Sequence, residues 1–371
     1  MKRKKEHVRV AVAMSGGVDS SVAAALLAEE YGKENVFGVT MRLFCYDKKE
    51  TGPKNCCSLE AINDAKSVCK KLSIKHYVLD FEKEFGREVI DNFVSEYLKG
   101  RTPNPCVRCN SIIKFDYLLE KAKGLGADYL ATGHYARIVR EFPISNFQFP
   151  IKSQIQNSKL LKGLDEKKDQ SYFLYGLTQE HLEHTLFPLG DYKKSKVRNL
   201  AKKYGLKTAE KAESQEICFI DTNYHDYLNS RITLEKGDIV DKEGNILGGH
   251  EGLPFYTIGQ RRGIGVARKE PYYVTGFDTK KNQLIIGEEE DLYKKEFEVG
   301  DMNWISGKEL VKEFKAEAMI RYNMKPEKAQ IFSKGKNVRV TFDKPQKAIT
   351  PGQSAVFYKN SEVLGGGVIE S

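Results

Sequence analysis

The chain lacks any apolar run approaching the length of a membrane span, which excludes a membrane-embedded helix and a membrane partner. Its basic opening, Met1-Lys2-Arg3-Lys4-Lys5, leads straight into Val8 to Met14 and a glycine loop. No signal-peptide core with a cleavage site precedes that loop, so a cytoplasmic protein is expected. Seven cysteines, an odd number, do not make a structural disulfide framework and read instead as reactive or metal-binding thiols. Internal repeats and long low-complexity linkers are missing. So are the two common nucleotide fingerprints: no Lys follows the second glycine of the N-terminal loop, which excludes a P-loop, and no G-x-G-x-x-G run is present, which excludes a dinucleotide turn.

What is present is ordinary for a globular protein, with 40% hydrophobic and 30% charged residues in a length of 371 that suggests two or three domains. A net charge of +9 fits a polyanionic partner such as nucleic acid, although many enzymes are as basic. The chain is organised around Ala13-Met14-Ser15-Gly16-Gly17-Val18-Asp19-Ser20-Ser21. A buried strand precedes it and a helix follows. Strand, glycine turn and helix make an anion site, because the backbone approaches closely at Gly16 and Gly17 and the helix start offers free N–H groups.

Further along, Asn35 to Phe44 reads as a second strand, with Met41 near its end. Cys45 to Ser58 reads as a mobile flap holding Cys45, Cys56 and Cys57. Leu59 to Leu72 reads as an amphipathic helix capped by Ser58, with Cys69 a small core residue. His76 to Asp80 is a third strand and Phe85 to Leu98 a long helix. Two prolines in Thr102-Pro103-Asn104-Pro105-Cys106-Val107-Arg108-Cys109-Asn110 predict an extended path up to Asn110, which then caps a helix over Ser111 to Lys123. Cys109 would sit at that helix start, its thiol acidified by the dipole and by Arg108. Asp128 to Arg137 predicts a fourth strand and its exit, where Gly133 admits a ligand and His134 stands at the strand end, the place where open α/β sheets bind ligands. Residues 138 to 163 read as a β-hairpin or loose loop without chemistry. Lys167 to Phe173 starts a helix and Val197 to Tyr204 forms another. In Glu213 to Ile220, Cys218 enters an apolar, strand-like run. From Lys236 the composition turns β-rich and glycine-bearing. Beyond about 283, period-two runs over Ala316 to Tyr322, Val338 to Phe342 and Ser354 to Lys359 predict a small barrel.

Six motifs in this order, Ser-Gly-Gly-Val-Asp-Ser, Thr-Pro-Asn-Pro-x-x-x-Cys-Asn, Thr-Gly-His-Tyr, Lys-Asp-Gln-Ser-Tyr-Phe, Ser-Gln-Glu-Ile-Cys-Phe and Tyr-Thr-Ile-Gly-Gln-Arg, resemble the bacterial tRNA-specific 2-thiouridylases, within the ATP pyrophosphatases. The resemblance runs from about residue 8 to the C-terminus except over 138 to 163. It implies a doubly wound, mostly parallel α/β sheet of the adenine nucleotide α-hydrolase type over 1–213. A β-rich central domain carrying Cys218 over 214–282 and a C-terminal tRNA-contacting β-barrel over 283–371 would follow. It implies ATP and Mg²⁺, the nucleotide being held by Ala13, Met14, Ser15, Gly16, Gly17, Val18, Asp19 and Ser20, with Met41 on the adenine and Gly133 opposite. The C2 oxygen of the wobble uridine would be adenylated. Cys218 would bring sulfur as a persulfide from a cysteine desulfurase or a sulfur carrier, and Cys109 would free it by closing a transient disulfide. For tRNA, the resemblance points to Asn104, Pro105 and Cys106 around the base. It points also to His134, Lys168, Asp169, Gln170, Arg321, Tyr322 and Gln353.

One residue departs from the commonest family pattern: position 106, usually Asp, is Cys. Either Cys106 is a tolerated variant beside the base, or Cys106, Cys109 and Cys218 hold an iron–sulfur cluster that takes over sulfur delivery. The other open readings are a different ATP pyrophosphatase acting on a small molecule and an RNA-binding protein without catalysis.

Overall fold

The computed structural model describes residues 8–44, 59–141, 157–211, 217–220, 224–267, 270–309, 312–334 and 337–370. The Cys45 to Ser58 segment, Ser58 as a helix cap and residues 213–216 lie outside them. No helix is long and apolar enough to cross a membrane among the described residues.

The first layer is a parallel sheet. Strand β1 (Val10–Ala13) is apolar and buried, and the chain turns at the glycines into α1 (Val18–Tyr31). Alanines 23, 24, 25 and 28 are all buried, so α1 lies close on the sheet with apolar residues on most of its faces. Then come β2 (Val36–Arg42), α2 (Leu59–Leu72) and β3 (Lys75–Asp80). The next helix, α3, runs through Glu82–Phe85, a π-helical turn at Gly86–Ile90, and Asp91–Leu98. Helix α4 follows in three pieces, Pro105–Arg108, a π-helical stretch Cys109–Leu118, and Leu119–Gly124. Strand β4 (Tyr129–Ala131) returns beside β1. With β7 (Thr185–Leu186) the order is β3-β2-β1-β4-β7, and every pairing is parallel. Helix α5 (Lys194–Lys203) packs against α1. The doubly wound α/β reading holds.

Residues 136–141 and 157–162 do not continue that sheet. Strands β5 (Ala136–Glu141) and β6 (Asn157–Lys162) form an antiparallel hairpin, and β6 pairs with β17 (Glu362–Ile369) near the C-terminus. The expected fourth strand with its exit is therefore two strands in two sheets. The central sheet has the order β10-β11-β8-β9, from β8 (Gly237–Val240), β9 (Ile246–His250), β10 (Tyr273–Asp278) and β11 (Gln283–Gly287). The last unit joins β12 (Tyr293–Trp304), β13 (Glu313–Met319), β14 (Glu327–Lys334), β15 (Asn337–Lys347), β16 (Ser354–Lys359) and β17. Pairing of β12 with both β15 and β17 closes it into a barrel around Phe297, Val299, Ile331, Val340 and Phe357.

Three local expectations are corrected. The helix read from Ser111 begins six residues earlier, at Pro105. A proline suits the first helical position, where its missing N–H has no partner to lose. Asn104, not Asn110, is the cap, its Oδ1 accepting the Val107 N–H at 3.3 Å. Cys218 lies in a turn, with the Ile220 N–H on the Ile217 carbonyl at 3.1 Å, rather than in a strand. The Lys167 to Phe173 stretch forms only a short 3-10 turn at Ser171–Leu174.

Candidate active site

The loop after β1 is held by its own hydroxyls. Ser20 Oγ accepts the Ser15 N–H at 3.2 Å and contacts Ser15 Oγ at 3.2 Å, while Ser21 Oγ donates to the Gly17 carbonyl at 2.7 Å. Gly16 has φ of +69°, and a Cβ there would stand 2.3 Å from the Ala61 carbonyl oxygen at the start of α2. Gly17 is the N-cap of α1, and no side chain caps the helix. Such a helix start, with N–H groups lacking a side-chain acceptor, fits an anion.

Asp19 is anchored from afar. Lys194 Nζ donates to both carboxylate oxygens, at 2.8 and 2.7 Å, and the Tyr135 hydroxyl donates at 2.7 Å. Gly133 lies against this corner. A Cβ on it would come within 2.8 Å of the Ser20 nitrogen, so its missing side chain lets the β4 exit abut α1.

Helix α4 supplies the opposite wall. Thr102 N–H donates to the Pro351 carbonyl at 2.8 Å, and Gln353 Nε2 donates to the Thr102 carbonyl at 2.9 Å, so the barrel holds the segment leading into the helix. Cys106 is then the second residue of the helix and Cys109 opens its next turn, rather than sitting at the first free N–H groups. Arg108 is turned to the Glu88 carbonyl and carboxylate and not toward the thiols. Cys218 comes from a third direction. Its neighbour Phe219 is buried edge-on against Phe93 at 5.2 Å and Phe85 at 5.8 Å, which fixes the turn over α3.

One cavity of about 350 Å³ joins these walls. Ala13, Met14, Ser15, Asp19 and Ser20 line it from the loop, with Met41 and Gly133 beside them. Pro105, Cys106 and Cys109 line it from α4, and Cys218, His134 and Gln170 complete it. Of the three cavity cysteines, Cys106 is exposed and Cys109 and Cys218 are half-buried. Cys69 is elsewhere, fully buried, its thiol pushed up to about 12 by burial, as a core residue should be.

His134 is buried between Phe115 and Phe187, its Nδ1 at 2.7 Å from Thr132 Oγ1. Burial first, and the Lys114 ammonium second, hold its imidazole well below the usual histidine range, so it is neutral at pH 7. Gln170 Oε1 accepts the Tyr135 N–H at 3.0 Å. Asp169 is committed to its own turn, accepting from the Gly163 and Ser171 N–H groups at 2.9 and 3.1 Å and from the Ser171 hydroxyl at 2.8 Å. Burial, partly offset by these bonds, raises its carboxyl above the usual range. Lys168 is half-exposed at the same turn. Asn104, Lys168, Asp169, Arg321, Tyr322 and Gln353 do not line the cavity. Arg321 is exposed and donates to the Lys347 carbonyl at 3.0 Å, and Tyr322 packs on Phe173 with ring centres 4.4 Å apart.

Sequence reading missed Lys114, Thr132, Tyr135 and Lys194. For Lys114 a signal existed, four residues after Asn110 on the helix that carries Cys109. For Lys194 there was none.

Among the described residues no three of His, Cys, Asp and Glu stand close enough together to hold a metal ion. The three thiols line one cavity.

Comparison with known proteins gives the class first. Residues 8–222 match the tRNA methyl transferase HUP domain, 225–288 its PRC-barrel domain, and 294–369 the aminomethyltransferase β-barrel domain. A nucleotide-type α/β domain with a thiol-lined cavity and two β-rich domains defines an ATP-using tRNA-modifying enzyme. The chain is 50% identical over 368 residues to the tRNA-specific 2-thiouridylase MnmA of Carboxydothermus hydrogenoformans, covering 98% of this chain and 97% of that one. It is 48% identical over 368 residues to the enzyme of that name from Clostridium botulinum strain Alaska E43, covering 98% of each. The chain belongs to the tRNA-specific 2-thiouridylase family and is a tRNA-uridine 2-sulfurtransferase. A solved U34-tRNA thiolase, NcsA from Methanococcus maripaludis with its [4Fe-4S] cluster, overlaps 61% of this chain and 64% of its own at 20% identity and TM-score 0.36, too little to carry its cluster across.

Proposed function

We propose that the cavity thiolates the wobble uridine in two stages, with Cys218 as sulfur carrier and Cys109 as the nucleophile that frees the product. ATP lies with its phosphates on residues 13–20 and its adenine beside Met41 and Gly133. The uridine, swung out of the anticodon stack, enters between Asn104-Pro105-Cys106 and His134. Its C2 oxygen attacks the α-phosphorus and pyrophosphate leaves. This turns a poor leaving group into a good one. Magnesium would neutralise the phosphates of ATP.

In the second stage the terminal sulfur of a Cys218 persulfide attacks C2 and AMP departs, leaving the base joined to Cys218 through two sulfurs. The Cys109 thiolate then attacks Cys218 Sγ. The sulfur–sulfur bond breaks, its electron pair stays with the base as 2-thiouridine, and a Cys109–Cys218 disulfide remains for an external thiol to reduce. A cytoplasmic setting supplies that thiol, and a cysteine desulfurase or sulfur carrier would recharge Cys218. Lys168, Asp169, Gln170, Arg321, Tyr322 and Gln353 would shape the tRNA-facing surface, the last two and Asp169 by holding the elements that touch it.

The observation that carries this reading is the shared cavity of the loop, Cys109 and Cys218. Nucleoside mass spectrometry on tRNA incubated with protein, ATP and a persulfide source tests it. The wild type should form 2-thiouridine. Cys218→Ser should form none, and Cys109→Ser should stop with tRNA covalently bound to Cys218. Thiolation by Cys218→Ser at the wild-type rate would remove the persulfide role.

A further inference from the structure

Apart from its thiols the cavity holds little charge. The carboxylate of Asp19 is engaged by Lys194 and Tyr135. His134 is buried and neutral. Among the described residues that line the cavity, Lys114 is the one cation. Two negative charges must nevertheless form or move there, on the α-phosphate and on the uracil ring.

The backbone explains how Lys114 arrives. In an α-helix each residue turns about 100°, so positions 109 and 114 would point about 140° apart. The Cys109–Leu118 stretch is π-helical, and a π turn closes over five residues. That geometry puts Cys109 and Lys114 on one face, toward one cavity. Asn110, 4% exposed, locks the arrangement: its Oδ1 accepts from Lys114 Nζ at 2.8 Å and its Nδ2 donates to the Phe173 carbonyl at 3.3 Å. The ammonium is thus held by a neutral partner, its charge left uncompensated, between the thiol wall and His134.

We propose that Lys114 is a further catalytic residue, whose ammonium neutralises the charge that gathers on the α-phosphate and the uracil C2 oxygen as the adenylate forms. The inference rests on the adenylation stage above. In that step the C2 oxygen bonds to the α-phosphorus, the bond from that phosphorus to the bridging oxygen breaks, pyrophosphate leaves with the electron pair, and the N3 proton passes to water. Lys114 stays protonated throughout. A fixed cation aimed at developing charge in a site with apolar walls is worth far more than in water.

The test is single-turnover release of pyrophosphate from ATP, with and without tRNA, on the wild type, Lys114→Gln, Lys114→Met and Lys114→Arg, each with a melting curve. If the wild type releases no pyrophosphate in response to tRNA, the adenylation reading itself fails, whatever Lys114 does. Given that response, Gln and Met should slow it about 100-fold or more. Arg should restore part of the rate, and ATP affinity should change little. The pH midpoint for alkylation of Cys109 by iodoacetamide should stay where it is. Pyrophosphate release near the wild-type rate in Lys114→Gln, or an effect confined to the alkylation midpoint, would overturn the proposal. So would losses that follow the folded fraction in all three variants.

Discussion

Lys194 Nζ donates to both carboxylate oxygens of Asp19, at 2.8 and 2.7 Å, from a helix 175 positions further along the chain. The pair joins α5 to the first turn of α1, and so to the glycine loop before it. With side chains 11% and 30% exposed, it is too sheltered to behave as a surface ion pair. Lys194→Met leaves a part-buried carboxylate with only Tyr135 and should cost about 2–3 kcal/mol. Adding Asp19→Asn removes the stranded charge and should recover part of that loss. Urea unfolding of the two singles and the double would show it. Additive losses would mean the pair is not coupled.

The two loop glycines should differ. An alanine at position 16 must accept a φ of +69° and a Cβ 2.3 Å from a backbone oxygen of α2, so Gly16→Ala should cost about 1–3 kcal/mol and disturb the loop. At position 17 the backbone has an ordinary φ of −94° and the nearest atom is Ser15 Oγ at 3.4 Å. Gly17→Ala should therefore shift stability by less than about 1 kcal/mol. Melting curves for the two variants separate these outcomes, and equal losses would contradict the assignment.

His134 makes stability depend on pH. Its folded value lies well below 6.5, so as pH falls below the unfolded value the unfolded chain takes up a proton that the folded chain refuses. Stability should be flat above about pH 6.5 for this group and fall below it, at up to about 1.4 kcal/mol per pH unit. Burial lowers His76 and His250 in the same direction, so they retain part of the slope when His134 is replaced. Denaturant unfolding at pH 7.5 and 5.5 should show a smaller acid loss in His134→Asn than in the wild type. Parallel losses would show that His134 titrates normally.

Cys106 sits exposed in the first turn of α4 and shares the cavity with Cys109 and Cys218, and among the described residues no three His, Cys, Asp or Glu could hold a metal ion. Protein purified without oxygen should be colourless and essentially iron-free, and Cys106→Ser should still thiolate tRNA within about threefold of wild type. Stoichiometric iron and acid-labile sulfide, lost on that substitution, would move sulfur delivery to a cluster and demote the Cys218 persulfide.

Short-range features were legible in the sequence. The strand, glycine turn and helix from Val10 to Tyr31, the apolar strands of the barrel and the burial of Cys69 depend on residues a few positions apart, whose propensities and periodicities are local. The order of six motifs was enough for the family. Where local rules collided, reading failed: two prolines near Asn104 argue against helix, yet the second is a good first helical residue once Gln353 and Pro351 of the barrel hold the segment ahead of it. Tertiary structure decided how Cys218 reaches the cavity that Cys109 lines, because its turn is fixed by Phe219 buried among rings of α3. It alone decided that Asp19 meets Lys194, that Gly133 is bare to admit the start of α1, and that Lys114 lines the same cavity as Cys109. Those contacts arise from packing between segments far apart in the chain, which local propensity does not encode.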